Sequence, residues 1–376
     1  MESYLDNAAT TRPSKAVIEK VCSSLGEVWG NTSSLHRVGM AADDAVSEAR
    51  AIISSGIGAQ KEEIIFNASA SEGNNQVIKS FIREGAHFIT TSTEHPSVMR
   101  SMEYAERCGV EVTRLKADRF GNLDQGEFRE SLRKNTSLVS AMMVNNETGA
   151  INPIDEIASV IKESGSRARL HVDAVQGLMK LPIDVRKSGI DFMTASAHKV
   201  HGPKGVGMLY VRKGLKLESL IHGGSHEMGM RAGTLNVSGI LGFAESIMEM
   251  SPKIDEHYNR AYQLKKRLYE GLTLFDGVVV NSPLEYTSPY ILNISAPFLR
   301  GEVLLRYLSE KGVCVSTGSA CSSNSTKDSH VLSAMGLSQK EIKGSVRLSM
   351  SPFTSDDEIE YALEAMKEAF SFLRRK

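Results

Sequence analysis

"RLHVDAVQGLMKLPIDVRKSGIDFMTASAHK", residues 169–199, decides the fold class. Two short apolar runs, RLHV and DFMTAS, have the length and composition of strands. Each gives way to polar residues: Asp173 and Gln176 after the first, His198 and Lys199 after the second. LVSAMMV upstream ends the same way, in Asn145, Asn146 and Glu147, and GMLYV (207–211) follows downstream. HFITTS (87–92) reads as another strand, and SVMRSMEYAERCG as a helix closed by Gly109. Pro13 opens a helix with the stripe Val17, Ile18, Val21, Cys22 and Leu25. Short strands alternating with helical segments over residues 13–250 predict a mainly parallel sheet covered by helices on both faces. Ligands in such sheets sit beyond the carboxyl ends of the strands, so the repeated polar ends predict one shared cleft.

Near residues 251–272 the pattern changes to a long amphipathic helix, with Ile254, Tyr258, Ala261, Leu264 and Leu268 near one face. GVVVNS, SPYILNIS, GVCVST and SVRLSM then read as strands, with helices at 301–312 and 355–376. Ser355 and Glu358 have capping-box spacing. This mixed order predicts a small α+β domain. The 376 residues fit a large domain over 13–255 and a smaller one from 1–12 and 256–376.

The 44 basic against 45 acidic residues, with no basic run interleaved with aromatics, argue against direct nucleic-acid binding. No apolar run is long enough for a membrane helix, and MESYLDNAATTRP lacks a leader pattern, so a cytoplasmic, membrane-free protein is expected. Four cysteines without a CxxC pair suit a reducing compartment.

TASAHKVHGPKGVG (194–207) places Lys199 between two histidines in a glycine-rich turn. A lysine amine that attacks an aldehyde must be unprotonated, which burial and cationic neighbours favour; an ordinary loop lysine is the alternative. Asp173 at a strand end can pair with a buried cation such as a protonated pyridine nitrogen, or cap a helix. Gln176 is spaced to reach a phenolic oxygen. In FNASASEGNNQVIKSF (66–81) a strand end passes through small residues into a helix, so free amides and the Ser71 hydroxyl can converge on a phosphate. Capping by Ser69 or Ser71 is the competing reading, and neither this stretch nor GPKGVG has Walker spacing. His95, between a strand and a helix, can lie over a flat aromatic ligand, cap the helix or fill the core. His222 and His226 lie in a glycine loop with no completing ligand set, so no metal is expected. Cys321, in the small polar stretch VSTGSACSSNSTKDSH, is placed for reactivity or is incidental; Cys22, Cys108 and Cys314 read as core. Arg347 can hold a carboxylate or serve an ordinary ion pair.

Together these residues form the complement of pyridoxal 5'-phosphate, and the chain resembles the NifS/IscS-type (group I) cysteine desulfurases among the class V, fold-type I pyridoxal-phosphate enzymes. The resemblance rests on YLDNAATT, SLHRVG, TEHPSV, NNETG, HVDAVQ, SAHKVHGPKG, RAGT and STGSACSS. It implies a seven-stranded, mainly parallel large-domain sheet and conversion of L-cysteine to L-alanine, with the sulfur passing to an enzyme persulfide. Lys199 then resembles the lysine that binds the cofactor and shuttles a proton; Asp173 the partner of the ring nitrogen; Gln176 the contact to the phenolic oxygen; and His95 the stacking residue that helps move protons. Ser71, Ser196 and His198 fall at the phosphate, with Thr234 reaching in from a second subunit of a homodimer, and Ala70 and Asn146 count among the cofactor contacts. Asn146 and Arg347 resemble the residues that hold the substrate carboxylate, and Cys321 the cysteine that is persulfidated. The implied partner is a sulfur acceptor such as an iron–sulfur scaffold or a tRNA-thiolation enzyme. A selenocysteine lyase, an aminotransferase and a non-turnover sulfur carrier are alternatives on the same scaffold. Ser71 for the usual threonine, Ser225 and Met228 for a glycine and an arginine, and NTSS and SMSPFT depart from the family pattern.

Overall fold

A computed structural model describes residues 1–318 and 328–373. The strands, in chain order, are β1 (Ser3–Tyr4), β2 (Ile64–Asn67), β3 (His87–Thr91), β4 (Glu111–Leu115), β5 (Thr136–Met142), β6 (Arg169–Asp173), β7 (Phe192–Ser196), β8 (Gly207–Val211), β9 (Val279–Val280), β10 (Ile291–Ser295), β11 (Val313–Cys314) and β12 (Ser345–Ser349).

Seven of them form one sheet in the order β2-β8-β7-β6-β5-β3-β4. Only β8 runs antiparallel to its neighbours; the remaining pairings are parallel. β2, β3, β5, β6 and β7 therefore release their carboxyl ends at one edge. The central strands β5, β6 and β7 are buried along nearly their whole length, as apolar strands covered on both faces must be. β4 (EVTRL) has no counterpart among the strand readings of the sequence. It is one of the sheet's two edge strands, half exposed, and its polar residues mask the apolar signal.

A second core gathers Leu5, Leu264, Leu268, Leu292, Leu304, Leu348 and Phe370 around a three-stranded antiparallel sheet ordered β12-β10-β9. The chain's first residues belong there: β1 pairs with β11 in parallel, Ser3 opposite Val313. Helix Ile254–Thr273 spans both cores, with Ile254 against the large one and Leu264, Leu268 and Leu272 in the second. Helix Asp356–Leu373 starts as its spacing predicts, the Glu358 carboxylate accepting from the Ser355 amide at 2.8 Å and Ser355 Oγ accepting from the Glu358 amide at 3.2 Å.

One helix corrects its sequence reading. Over Lys15–Glu27, Val17 and Ser24 are buried, and a Cβ on Gly242 would lie 2.5 Å from Val21 Cγ2, so that face packs closely on helix Val237–Met250. Ile18, Cys22 and Leu25 face solvent instead of the core. Cys108 is also exposed, not buried, because it caps helix Pro96–Arg107 at its outer end. Cys314 is half-buried.

Candidate active site

The carboxyl edge of the large sheet opens into a cleft of about 210 Å³. Its walls bring together Ala70, Ser71, His95, Asn146, Asp173, Gln176, Ser196, His198, Lys199 and Arg347, from segments spread over most of the chain. Ala8 and Ala9 close one side. Two expected residues stand apart. Thr234 is exposed and does not line this cleft in its own chain, and Cys321 lies outside the described residues.

β7 ends in Ser196 and passes into a single short turn, Ala197–Lys199. Lys199 Nζ donates to the carbonyls of Ala8 at 2.6 Å and Ala9 at 2.7 Å. The turn is tied to the chain's start a second time, since the Thr11 amide donates to the His198 carbonyl at 2.9 Å. His198 Nδ1 lies 3.2 Å from Thr10 Oγ1, and burial, reinforced by Lys199, Lys204 and Lys180, pushes this imidazole down to about 4. His198 is thus neutral at pH 7.

β6 delivers Asp173, 4 % exposed. Its Oδ2 accepts from Asn74 Nδ2 at 2.8 Å and its Oδ1 from the Val175 amide at 3.1 Å. The carboxylate is therefore turned toward the cleft by two neutral donors and needs no cation from the protein. Gln176 donates to the Ala8 carbonyl at 2.9 Å and accepts from Lys180 Nζ at 2.8 Å. Lys180 is buried, and burial, with Lys199 and Arg347 nearby, lowers its amine to about 7.

The helix Ala70–Ser80 begins at the cleft. Ser69 is its cap, accepting from the Glu72 amide, while the Ala70 amide donates to Ser196 Oγ at 2.9 Å and pins the helix start to the end of β7. Ser71 is left exposed on the cleft wall. His95 does two things at once: it caps helix Pro96–Arg107 through Nδ1, which accepts from the Ser97 amide at 3.1 Å, and its ring lines the cleft. Its pKa is lowered, chiefly by burial and further by Lys199 and His330, against an opposing pull from Asp173.

Arg347, 1 % exposed, comes from the middle of β12. Its guanidinium donates to Asp6 Oδ1 at 2.7 Å and to the Asn146 carbonyl at 2.8 Å, while Nε is buried without a partner among the described residues. The ordinary ion pair and the cleft-lining position thus coexist. His226 Nε2 lies 3.0 Å from Ser33 Oγ, and among the described residues no group of His, Cys, Asp and Glu is arranged to hold a metal.

Four polar residues escaped the sequence reading: Asn74, Ser97, Glu94 and Lys180. Glu94 is fully buried beside His95, its Oε1 accepting from Thr91 and the Met142 amide at 2.8 Å each and its Oε2 without a partner among the described residues. Burial, with Asp173 nearby, raises its carboxyl to about 8. Lys180 carries a faint signal, lying four residues after Gln176 on an otherwise apolar turn.

The donor set suits pyridoxal phosphate: an amine, a buried carboxylate, a flat neutral imidazole, and hydroxyls at a helix start where an anion is favoured. These features define an enzyme of the fold-type I class, and residues 3–362 match the family described as aminotransferase class-V. The chain is 40% identical over 378 residues to the cysteine desulfurase IscS of Dictyoglomus turgidum, covering 99% of this chain and 95% of that one. It is 38% identical to cysteine desulfurase IscS of Methanosarcina thermophila, covering 99% of this chain and 92% of that one. The solved structure of a NifS-like protein superposes with a TM-score of 0.94 at 35% identity, covering 99% of this chain and all of that one. SspA in complex with cysteine superposes with a TM-score of 0.83 at 34% identity, covering 94% and 100%. The chain belongs to the cysteine desulfurases of the class-V aminotransferase family.

Proposed function

We propose that the cleft binds pyridoxal 5'-phosphate and L-cysteine and that its residues release L-alanine while Cys321 takes up the sulfur as a persulfide. The convergence of Lys199, Asp173, Gln176 and His95 on one sheet edge carries this reading. Ser71, Ser196, His198 and the amide end of helix Ala70–Ser80 would hold the phosphate, Asp173 the ring nitrogen, Gln176 the phenolic oxygen, and His95 the ring face. When bound, the cofactor supplies an aldehyde for an amine and an electron sink for charge developing at the substrate α-carbon.

The protein's own groups do the rest. Lys199 binds the cofactor and moves a proton from the α-carbon. Burial of Asp173 among neutral donors keeps it available for a cationic partner. Asn146 and Arg347 hold the substrate carboxylate; the Arg347 guanidinium is already oriented by Asp6 and the Asn146 carbonyl. Cys321 must act as a thiolate. Burial, with Glu2 and Asp6 nearby, pushes the Cys314 thiol up, which suits it poorly to this role.

The reading extends to a homodimer in which Thr234 completes the partner's phosphate site. Two observations support it: Thr234 is exposed and away from its own cleft, and Ile18, Leu25, Trp29, Leu35 and Met40 leave large apolar surfaces uncovered on one stretch of the chain. The acceptor is a protein of the iron–sulfur scaffold or tRNA-thiolation type in the cytoplasm. Among the described residues no helix is long and apolar enough to cross a membrane. The division into a large domain over 13–255 and a small one from 1–12 and 256–376 is supported by the two cores and by Leu5 lying in the second.

The test is to incubate cofactor-loaded protein with L-cysteine and a thiol reductant and measure alanine and sulfide together. Equal amounts are expected; neither product, with the cofactor bound, would overturn the assignment.

A further inference from the structure

Behind His95 runs a chain of hydrogen bonds whose directions are fixed by chemistry. Asp173 Oδ2 and Thr194 set the Asn74 amide: Asn74 Nδ2 donates to Asp173 Oδ2 at 2.8 Å, and the Thr194 hydroxyl donates to Asn74 Oδ1. The same Nδ2 donates to Ser97 Oγ at 2.9 Å. Ser97 Oγ lies 2.8 Å from His95 Nδ1, and the Ser97 backbone N–H, a group that can only donate, points at the same nitrogen from 3.1 Å. A proton on Nδ1 would meet that N–H head-on. The ring nitrogen must accept, and the Ser97 hydroxyl, its oxygen already receiving from Asn74, donates to it.

We propose that Ser97 and Asn74 are positioning residues that hold the His95 imidazole in the tautomer protonated on Nε2. Proton traffic through His95 then runs by Nε2 alone, and the resting ring presents a donor, not a lone pair, to whatever lies against it. Asn74 also grips Asp173, so one amide sets both the carboxylate that would face the ring nitrogen and the imidazole that would face the ring plane. This inference rests on the desulfurase reading only for its catalytic consequence; the tautomer stands on the hydrogen bonds.

Among the described residues, the charged and titratable groups facing His95 are Asp173 from β6, Lys199 after β7 and His330 from helix His330–Ala334, whose Nε2 donates to the Glu94 carbonyl at 2.9 Å. None of them supplies a hydrogen bond to Nδ1 in place of Ser97. Glu94 is adjacent in sequence, but its Oε1 is taken by Thr91 and the Met142 amide.

The test uses cofactor-free, 15N-histidine-labelled protein at pH 7.5, with His95 assigned by its loss in His95→Gln. Long-range 1H–15N spectra should show Nε2 protonated and Nδ1 as an unprotonated acceptor. Ser97→Ala removes one donor from Nδ1, which stabilises the neutral ring less; the His95 titration midpoint should rise by about 0.5–1 unit, the equivalent of one ordinary hydrogen bond. Ser97→Thr, which keeps the hydroxyl, should restore the wild-type midpoint. In the loaded enzyme Ser97→Ala should lower kcat about five- to ten-fold with little change in KM. A wild-type ring protonated on Nδ1, or a midpoint unmoved by Ser97→Ala, would overturn the proposal. Because the spectra are read without cofactor, they decide the tautomer whether or not the protein turns over cysteine.

Discussion

Two lysines of this chain lie in opposite kinds of burial. Lys180 sits beneath the cleft, donates to Gln176 Oε1 at 2.8 Å and shares its surroundings with Lys199 and Arg347. Lys265, on helix Ile254–Thr273, is 0 % exposed in the second core and donates to Thr287 Oγ1, to the Ser288 carbonyl at 3.0 Å and to the Pro283 carbonyl at 3.2 Å. Both amines are lowered to about 7. For Lys265 burial alone is the cause; for Lys180 two further cations contribute. A displaced pKa therefore does not mark a reactive site by itself. What separates the regions is the company: the cleft joins cations, a carboxylate and imidazoles around open volume, whereas Lys265 has only oxygens that fasten one loop to one helix.

The sharpest break between the regions comes from removing a lysine in each. Lys199→Ala should reduce alanine formation by at least about 10²–10⁴-fold, the range for a positioned proton-transfer group. Lys265→Met, by contrast, should keep turnover per folded molecule within about two-fold while costing about 1–3 kcal/mol in urea unfolding, because three oxygens lose their donor. A Lys199→Ala protein that still makes alanine, or a Lys265→Met protein folded normally but inactive, would dissolve the distinction.

A smaller effect concerns Glu94. An unfolded chain releases this proton near pH 4.5, while the folded carboxyl holds it to about 8. Over that window the folded state binds the extra proton, so this contribution to stability is present at acid pH and is lost as pH rises, by about 1 kcal/mol per unit. Glu94→Gln does not titrate, and its stability relative to wild type should climb with that slope in urea melts from pH 5 to pH 8. A difference independent of pH would show that the carboxyl ionises normally.

The sheet was legible because β3, β5, β6, β7 and β8 are short apolar runs, and the cleft because three strands end in polar clusters. β4 was not, since an exposed edge strand carries charged residues. Nor was the outward face of helix Lys15–Glu27: apolar periodicity around Ile18, Cys22 and Leu25 says that a surface wants cover without saying whether the covering is the chain's own core. Asn74, Ser97 and Lys180 read as ordinary polar residues on helices or turns. Their role depends on neighbours far away in sequence, such as Asn74 with Asp173 and Thr194, and no local pattern announces such contacts.

The central claim joins Lys199 to Cys321, and mass spectrometry tests it directly. Loaded wild-type protein, given L-cysteine without reductant and then digested, should show the Cys321 peptide heavier by one sulfur atom, and Lys199→Ala should show no such gain. The extra sulfur on Cys22, Cys108 or Cys314 instead, or on Cys321 of Lys199→Ala, would contradict the account.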